Sequence, residues 1–323
     1  MDNNRSQVLM STMDTEEIIA HVAWYYYNDG LTQGKIAKML GISRIRVSRL
    51  LEMGRQNGLI QVRINSQYQG CLQLQQDLVK TFGLIEARVI PALEEARPGP
   101  RVGMAAAEIL IRKLEERDLL AVGWGEAVTT VLKRLSPLLG QKTISLVSLT
   151  GGVSAYVDGF ANQGLSNNIH LIPTPLRVTS PDFAKMLRDE PSVKNVLAMA
   201  LTARIALVGI GSVTRNATLV NNGYCTSSEI DLFAHKGAVG DLLGYFYDKD
   251  GHILSLELHN HVVAVQLDEL KRIPTIIGAA AGHDKIDAIL GALYGRLINM
   301  LVTDETTAKE LLRRENEKLF DSD

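Results

Sequence analysis

Four glycine-rich turns stand directly behind apolar runs in the second half of the chain and just before it. They are Gly123-Trp124-Gly125-Glu126, Thr150-Gly151-Gly152, Gly209-Ile210-Gly211-Ser212 and the stretch from Gly278 to Gly282. A glycine turn behind a strand leaves backbone N–H groups uncovered, and a helix that follows adds the positive end of its dipole. Such places suit a phosphate. None of the four is a G-x-G-x-x-G fingerprint or a Walker loop. A dinucleotide or ATP site is therefore disfavoured, and no cofactor is expected. Lys285 lies just past Gly282 at a predicted helix start. It either reaches a phosphate held there or is a solvated surface lysine. Asp241, at the end of Lys236-Gly237-Ala238-Val239-Gly240-Asp241, either accepts hydrogen bonds from the hydroxyls of a polyol or caps a turn. No nucleophile–His–acid constellation is visible, so no catalytic residues are expected. His259 and His261 would share one face of a strand, but with no third ligand nearby a metal site is not expected.

A different chemistry is written between Thr32 and Leu51, where the pattern reads T-Q-x-x-I-A-x-x-L-G-I-S-x-x-x-V-S-R-L-L. Ile36, Ala37, Leu40, Ile42, Val47, Leu50 and Leu51 are spaced to form a small core. Ala37 allows two helices to approach closely, and Gly41 supplies the turn between them. From Thr32 to Arg63 the basic residues are Lys35, Lys38, Arg44, Arg46, Arg49, Arg55 and Arg63, against the single acid Glu52, in a chain of net charge −2. Such a local excess fits binding to the phosphates of DNA. The second helix, with arginines near its start, is suited to the major groove. Thr32, Gln33, Ser43, Arg44, Arg46, Ser48 and Arg49 are the residues expected at DNA. Tyr25, Tyr26 and Tyr27 fit packing of a preceding helix better than stacking on bases.

The elements that must position these residues follow from periodicity. Ile18, Ile19, Val22, Ala23 and Tyr26 repeat at helical spacing up to Gly30; helices are predicted for residues 32–40 and 44–57, and a strand for 59–65. Residues 70–83 predict an amphipathic helix with Leu74, Leu78 and Phe82 on one stripe. Beyond it, apolar runs at 119–125, 144–149, 170–175, 204–211, 275–282 and 299–304 alternate with helical stretches at 101–115, 126–136, 182–203, 284–296 and 305–318. That alternation predicts a parallel sheet covered on both faces. The fold class is therefore α/β: an N-terminal helix-turn-helix domain, winged by the 59–65 strand, and a C-terminal doubly wound, mostly parallel sheet. The predicted domains are 1–66 for DNA binding, 67–100 as linker and oligomerisation helix, and 101–323 as the effector domain. The chain of 323 residues is long enough for two domains. Cys71 and Cys225 are far apart and fit a reducing cytoplasm. No run of about 20 apolar residues exists, so no membrane span or membrane partner is expected. The N-terminus lacks the features of a secretory signal.

At these residues the chain resembles the SorC family of sugar-responsive regulators along nearly its whole length. The segments carrying the resemblance include AWYYYNDGLTQ (23–33), VSRLLEMGRQNGLIQVRIN (47–65), GWGEA (123–127), TGGV (150–153), PTPLR (173–177), VGIGS (208–212), KGAVGDLLGYF (236–246) and NMLVTDETTA (299–308). The resemblance implies an effector domain related to sugar-phosphate isomerases, usually tetrameric, which releases operator DNA when its ligand binds. It is nearest to the branch of the family that responds to phosphorylated autoinducer-2; another sugar phosphate is the alternative ligand. It points to Asp241 and Lys285 as ligand contacts. With the turn residues Gly123, Gly125, Glu126, Thr150, Gly151, Gly152, Gly209 and Gly211, and with Arg177 of PTPLR, these form the expected ligand set. The loop SAYVDGFANQGLSNN after Val153 departs from the family's pattern and is a further candidate for lining the pocket. A sugar-phosphate isomerase is the competing enzyme reading. The helix-turn-helix in front argues against it, since fold is shared more widely than chemistry.

Overall fold

The computed structural model describes residues 14–60, 69–92, 97–142, 144–152, 156 and 168–320, and the chain divides into two compact units, Met1–Ser66 and Gln67–Asp323. The first unit holds helix α1 (Thr15–Ala23), a π-helical turn (Trp24–Asn28), α2 (Gln33–Leu40) and α3 (Arg44–Gln56). Each α-helix starts on a side chain that accepts a backbone N–H: Asp14 from Glu17, Thr32 from Lys35 and Ser43 from Arg46. Gly41 closes α2 in the left-handed region at φ 66°. Ile18, Ile19, Val22, Ile36, Ala37, Val47, Leu50 and Leu51 form the buried core. The wing predicted over residues 59–65 lies outside the described residues, except for Leu59 and Ile60, which are not in a strand.

The second unit is built on a seven-stranded parallel sheet. Its strands are β1 (Glu86–Ile90), β2 (Leu119–Val122), β3 (Ser145–Ser148), β4 (Ile169–His170), β5 (Ile205–Gly209), β9 (Thr275–Ala279) and β10 (Met300–Asp304), in the order β1-β10-β9-β5-β2-β3-β4. The continuous apolar runs reflect burial of both faces. Leu120, Val122, Ile205, Leu207, Ile277, Met300 and Val302 pack with helices α5 (Pro98–Lys113) and α6 (Glu126–Lys142). Ala121, Ala206, Val208, Ile276 and Leu301 point to the opposite core. That second core takes in α4 (Gln69–Phe82) through Cys71 and Leu78, together with α12 (Ile286–Tyr294) and α13 (Glu305–Phe320). So α4, expected as a linker or oligomerisation seam, is packed into the second unit, and β1 behind it is one of the sheet's two edge strands. Both cysteines are free and buried.

The structure corrects several sequence boundaries. The run 204–211 is two strands rather than one. It leaves the main sheet after Gly209 and re-forms as β6 (Gly211–Ser212), which joins β7 (Gly240–Leu242) and β8 (Tyr245–Tyr247) in a small antiparallel sheet. The helix predicted over 182–203 is α7 (Pro181–Asp189) and α8 (Pro191–Ala200). Glu190 between them is extended, at φ −60° and ψ 126°, because the ring of Pro191 disfavours helical geometry in the residue before it. The strand expected over 170–175 shrinks to Ile169–His170. His259 and His261 sit on a 3-10 turn (Glu257–His261), not a strand. The divergent loop after Val153 lies outside the described residues apart from Tyr156. Among the described residues, no helix is long and apolar enough to cross a membrane.

Candidate functional site

The connections leaving β2 and β5 run to opposite sides of the sheet: β2 leads to β3, whereas β5 lies on its other flank and leads on to β9. The crevice at such a switch point, outside the carboxyl ends of the strands, is where open α/β sheets bind ligands. A cavity of about 250 Å³ lies there. The ends of β2, β5 and β9 line it through Trp124 and Gly125, Gly209 to Ser212, and Ala279 to Ala281. Gly125 leads into α6, whose first residues Glu126 and Ala127 line the cavity, and the first N–H groups of a helix have no partner within it. Asp241 enters from β7 and Lys285 from the 3-10 turn (His283–Lys285) ahead of α12.

Asp241 is the buried carboxylate of this cavity, 5% exposed. It accepts the Gly244 N–H at 3.3 Å. Burial pushes its pKa up to about 6, against the opposing pull of that N–H and of Lys285. A Cβ on Gly211 would overlap the Asp241 carboxylate, so only glycine on β6 leaves that side chain in place. Lys285 is half-buried, and its Nζ donates to the Ile210 carbonyl at 2.7 Å. This bond holds the ammonium over the end of β5 while leaving donors for a second partner. The site thus combines a cation and helix-terminal N–H groups, which suit a phosphate, with an acceptor carboxylate, which suits hydroxyls.

Six of the expected ligand residues come together here: Gly125, Glu126, Gly209, Gly211, Asp241 and Lys285. The other five do not line the cavity. The Gly123 N–H is bonded to the Leu207 carbonyl within the sheet. Thr150 is buried, and its hydroxyl shares a 2.8 Å hydrogen bond with Tyr156. The N–H groups of Gly151 and Gly152 go to the Val263 and Thr174 carbonyls. Nη1 and Nη2 of Arg177 both donate to Glu229, and Nη1 also donates to the Tyr224 carbonyl; the bonds from Arg177 pull the pKa of Glu229 down to about 2. The turn at 150–152 stands off this cavity because β3 lies beyond β2, one strand away from the switch point. Sequence reasoning also missed Ser212 and Asp284, whose side chains are hydrogen-bonded at 3.2 Å on the cavity wall. The only signal for them was adjacency to Gly211 and Lys285.

In the first unit, Ser43, Arg44, Arg46, Ser48 and Arg49 are exposed on and just before α3, and Gln33 on α2 is half-buried. The hydroxyls of Thr32 and Ser43 already cap their helices. Sequence reasoning passed over Ile45, which is 68% exposed beside these arginines. An apolar side chain there matches the methyl group that thymine shows in the major groove. Among the histidines, His259 accepts the Phe246 N–H and the His261 ring bonds the Val178 carbonyl, so both are used structurally.

A DNA-reading helical unit joined to an α/β unit with a phosphate-suited crevice defines a ligand-responsive transcriptional regulator. The comparisons with known proteins agree. Residues 66–313 match the sugar-binding domain family, and residues 22–57 match sigma-70 region 4, a DNA-contacting helical family. The transcriptional regulator LsrR of Klebsiella pneumoniae subsp. pneumoniae is 47% identical over 300 residues, covering 92% of this chain and 93% of that protein. LsrR of Escherichia coli is 43% identical over 316 residues, covering 97% and 100%. The crystal structure of the full-length sorbitol operon regulator SorC from Klebsiella pneumoniae superposes with a TM-score of 0.68 at 31% identity, over 93% of this chain and 100% of that one. The chain belongs to the SorC family of sugar-binding transcriptional regulators.

Proposed function

We propose that the protein is a cytoplasmic repressor that leaves its operator DNA when a phosphorylated sugar-like ligand fills the crevice between β2, β5 and β9. The observation carrying this reading is the meeting of Lys285, Asp241 and the start of α6 in one cavity. Phosphorylated autoinducer-2 is the first candidate, because the relatives include LsrR regulators; another sugar or polyol phosphate is the second. Release needs only that the ligand favour a conformation whose DNA-reading units fit the operator less well. A coupling of about 1–3 kcal/mol changes operator affinity roughly 5–150-fold. Titration calorimetry tests the pocket. Wild type is expected to bind the phosphorylated ligand, and Asp241→Ala and Lys285→Ala to bind it at least about tenfold more weakly. Equal affinity in all three proteins would exclude the crevice as the site. Incubation with pentose and hexose phosphates is expected to give no turnover, in keeping with a regulator rather than an isomerase.

For the DNA-reading unit, Arg46→Ala and Arg49→Ala are each expected to cost about 1–3 kcal/mol of operator affinity if the residue reads a base. Neither should lower the melting temperature, because both side chains are exposed while Val47 and Leu50 hold the core. Gel-shift titration checks the first point and thermal unfolding the second. We further propose a homo-oligomer on DNA, since one helix-turn-helix contacts too little duplex to select a site alone; the family resemblance implies that it is a tetramer. A monomer in light scattering at micromolar concentration, with operator DNA present, would contradict it.

A further inference from the structure

A second cavity, of about 220 Å³, shares no lining residue with the first. Two of its walls carry polar groups that the fold leaves uncompensated. Arg188, half-buried at the end of α7, donates one guanidinium N–H to the Val262 carbonyl at 2.7 Å. Among the described residues, no carboxylate comes within ion-pair distance of it. Tyr245 on β8 is only 7% exposed, and its buried hydroxyl has no hydrogen-bond partner. A half-buried cation without a counter-ion and a buried hydroxyl without a partner both cost free energy. Fold stability does not account for keeping them side by side. The amides of Asn260 and Gln266 stand around the same space, and Leu267 and Ile253 supply apolar wall. His259 is a neutral partition rather than a ligand group: burial lowers its pKa to about 4, and its Nε2 accepts the Phe246 N–H.

We propose that this cavity is a binding site for a small carboxylate, separate from the sugar-phosphate crevice. The carboxylate accepts from the free guanidinium N–H groups of Arg188 and from the Tyr245 hydroxyl, so one anion compensates both. An anion is required by the sign of Arg188. A singly charged one is favoured over a phosphate dianion because Asp268 lies on the cavity wall, with its own charge turned to Lys271 at 3.5 Å. The volume of about 220 Å³ lies below the roughly 300–1,000 Å³ typical of sites for drug-sized ligands, and a short acid fits it. The amides of Asn260 and Gln266 give a hydroxyl or keto group beside the carboxylate a partner, so 2-hydroxy and 2-keto acids fit best. Tyr245 pairs in register with Leu242, the residue after Asp241. The two sites therefore hang on neighbouring strands of one small sheet.

The test is calorimetric titration of lactate, pyruvate and the neutral analogue lactamide into the full-length protein and two variants. Wild type is expected to bind at least one of the acids by about 10 mM and to bind lactamide at least about tenfold more weakly. Arg188→Gln is expected to weaken acid binding about tenfold or more, and Tyr245→Phe about threefold. Tyr245→Phe removes only an unpartnered hydroxyl, so its melting temperature should match or exceed that of wild type, which keeps the result readable if Arg188→Gln folds poorly. The proposal is overturned if neither acid binds wild type, if lactamide binds as well as lactate, or if Tyr245→Phe binds the acids unchanged. Sugar-phosphate titration of the same proteins separates this result from the first site, since neither variant touches the crevice.

Discussion

Replacing Asp241 with Asn is expected to make the ligand-free protein more stable by about 2–3 kcal/mol at about pH 8, and no more stable at about pH 4. The carboxyl is raised in the folded state to about 6, while in the unfolded chain it ionises near pH 4. Below that range both states are protonated and burial carries no ionic penalty. As pH rises from about 4 to 6, the unfolded state gives up its proton first and folding loses free energy. Above about 6 the penalty is constant, at roughly 1.4 kcal/mol per unit of separation. The amide carries no charge and escapes it. Denaturant titrations at the two pH values check the difference; a gain of equal size at both would refute the ionic origin. The same variant is expected to bind a sugar phosphate more weakly, because an amide oxygen accepts fewer hydroxyls than a carboxylate. The binding role proposed for Asp241 would thus work against stability, as at many functional sites.

Gly251→Ala should be the costliest glycine-to-alanine change among the described residues of the second unit, a loss of roughly 3–5 kcal/mol. Gly251 has φ 80°, and a Cβ there would overlap the Gly291 carbonyl and the backbone of Gly295. Gly291 and Gly295 in turn approach the Asp248 and Gly251 carbonyls so closely that each is itself confined to glycine. Backbone on every side leaves no flexible side chain to move away. The turn carrying Gly251 therefore lies directly on the C-terminal end of α12. The first turn of α12 is fixed to β8 by the Tyr247 hydroxyl, which donates to the Ala288 carbonyl at 2.8 Å. Gly223→Ala is the control. Its φ is 74° but nothing lies within 4 Å of the added carbon, so it should cost only about 1 kcal/mol. Urea unfolding of both variants decides; similar losses would mean that the close packing at Gly251 carries little of the effect.

The helices of the helix-turn-helix unit were legible because their signals are local: side-chain caps at Thr32 and Ser43, left-handed glycines at Gly30, Gly41 and Gly58, and a core at helical spacing. The main sheet was legible for a related reason, since strands buried on both faces are continuous apolar runs. What escaped was short or non-local. Strands β7 and β8 are three residues each, too short to show a period, and they exist because β6 offers them an edge. Strand β1 reads as mixed polarity because its neighbour is on one side only. In the crevice, Asp241 and Lys285 were legible as charges beside glycines. Whether a glycine turn reaches the crevice depends on the position of its strand in the sheet, and the parallel order β9-β5-β2-β3 places the turn after β3 one strand too far. Arg177 carried the right charge, but Glu229, more than fifty residues later, had already claimed it.

Strand β1 is hydrogen-bonded along its length to β10, from Glu86 beside Met300 to Ile90 beside Asp304. The first strand of the second unit thus finds its partner in the last one, more than two hundred residues later. During synthesis, the described core of the N-terminal unit is complete as soon as residue 60 or so is free of the ribosome. The outer strand must wait, unpaired, until almost the entire chain has emerged. Such distant pairing makes for slow closure and a period in which a bare strand edge is open to wrong partners. Nascent chains stopped short of Met300 would therefore carry a finished DNA-reading unit on an unclosed effector unit.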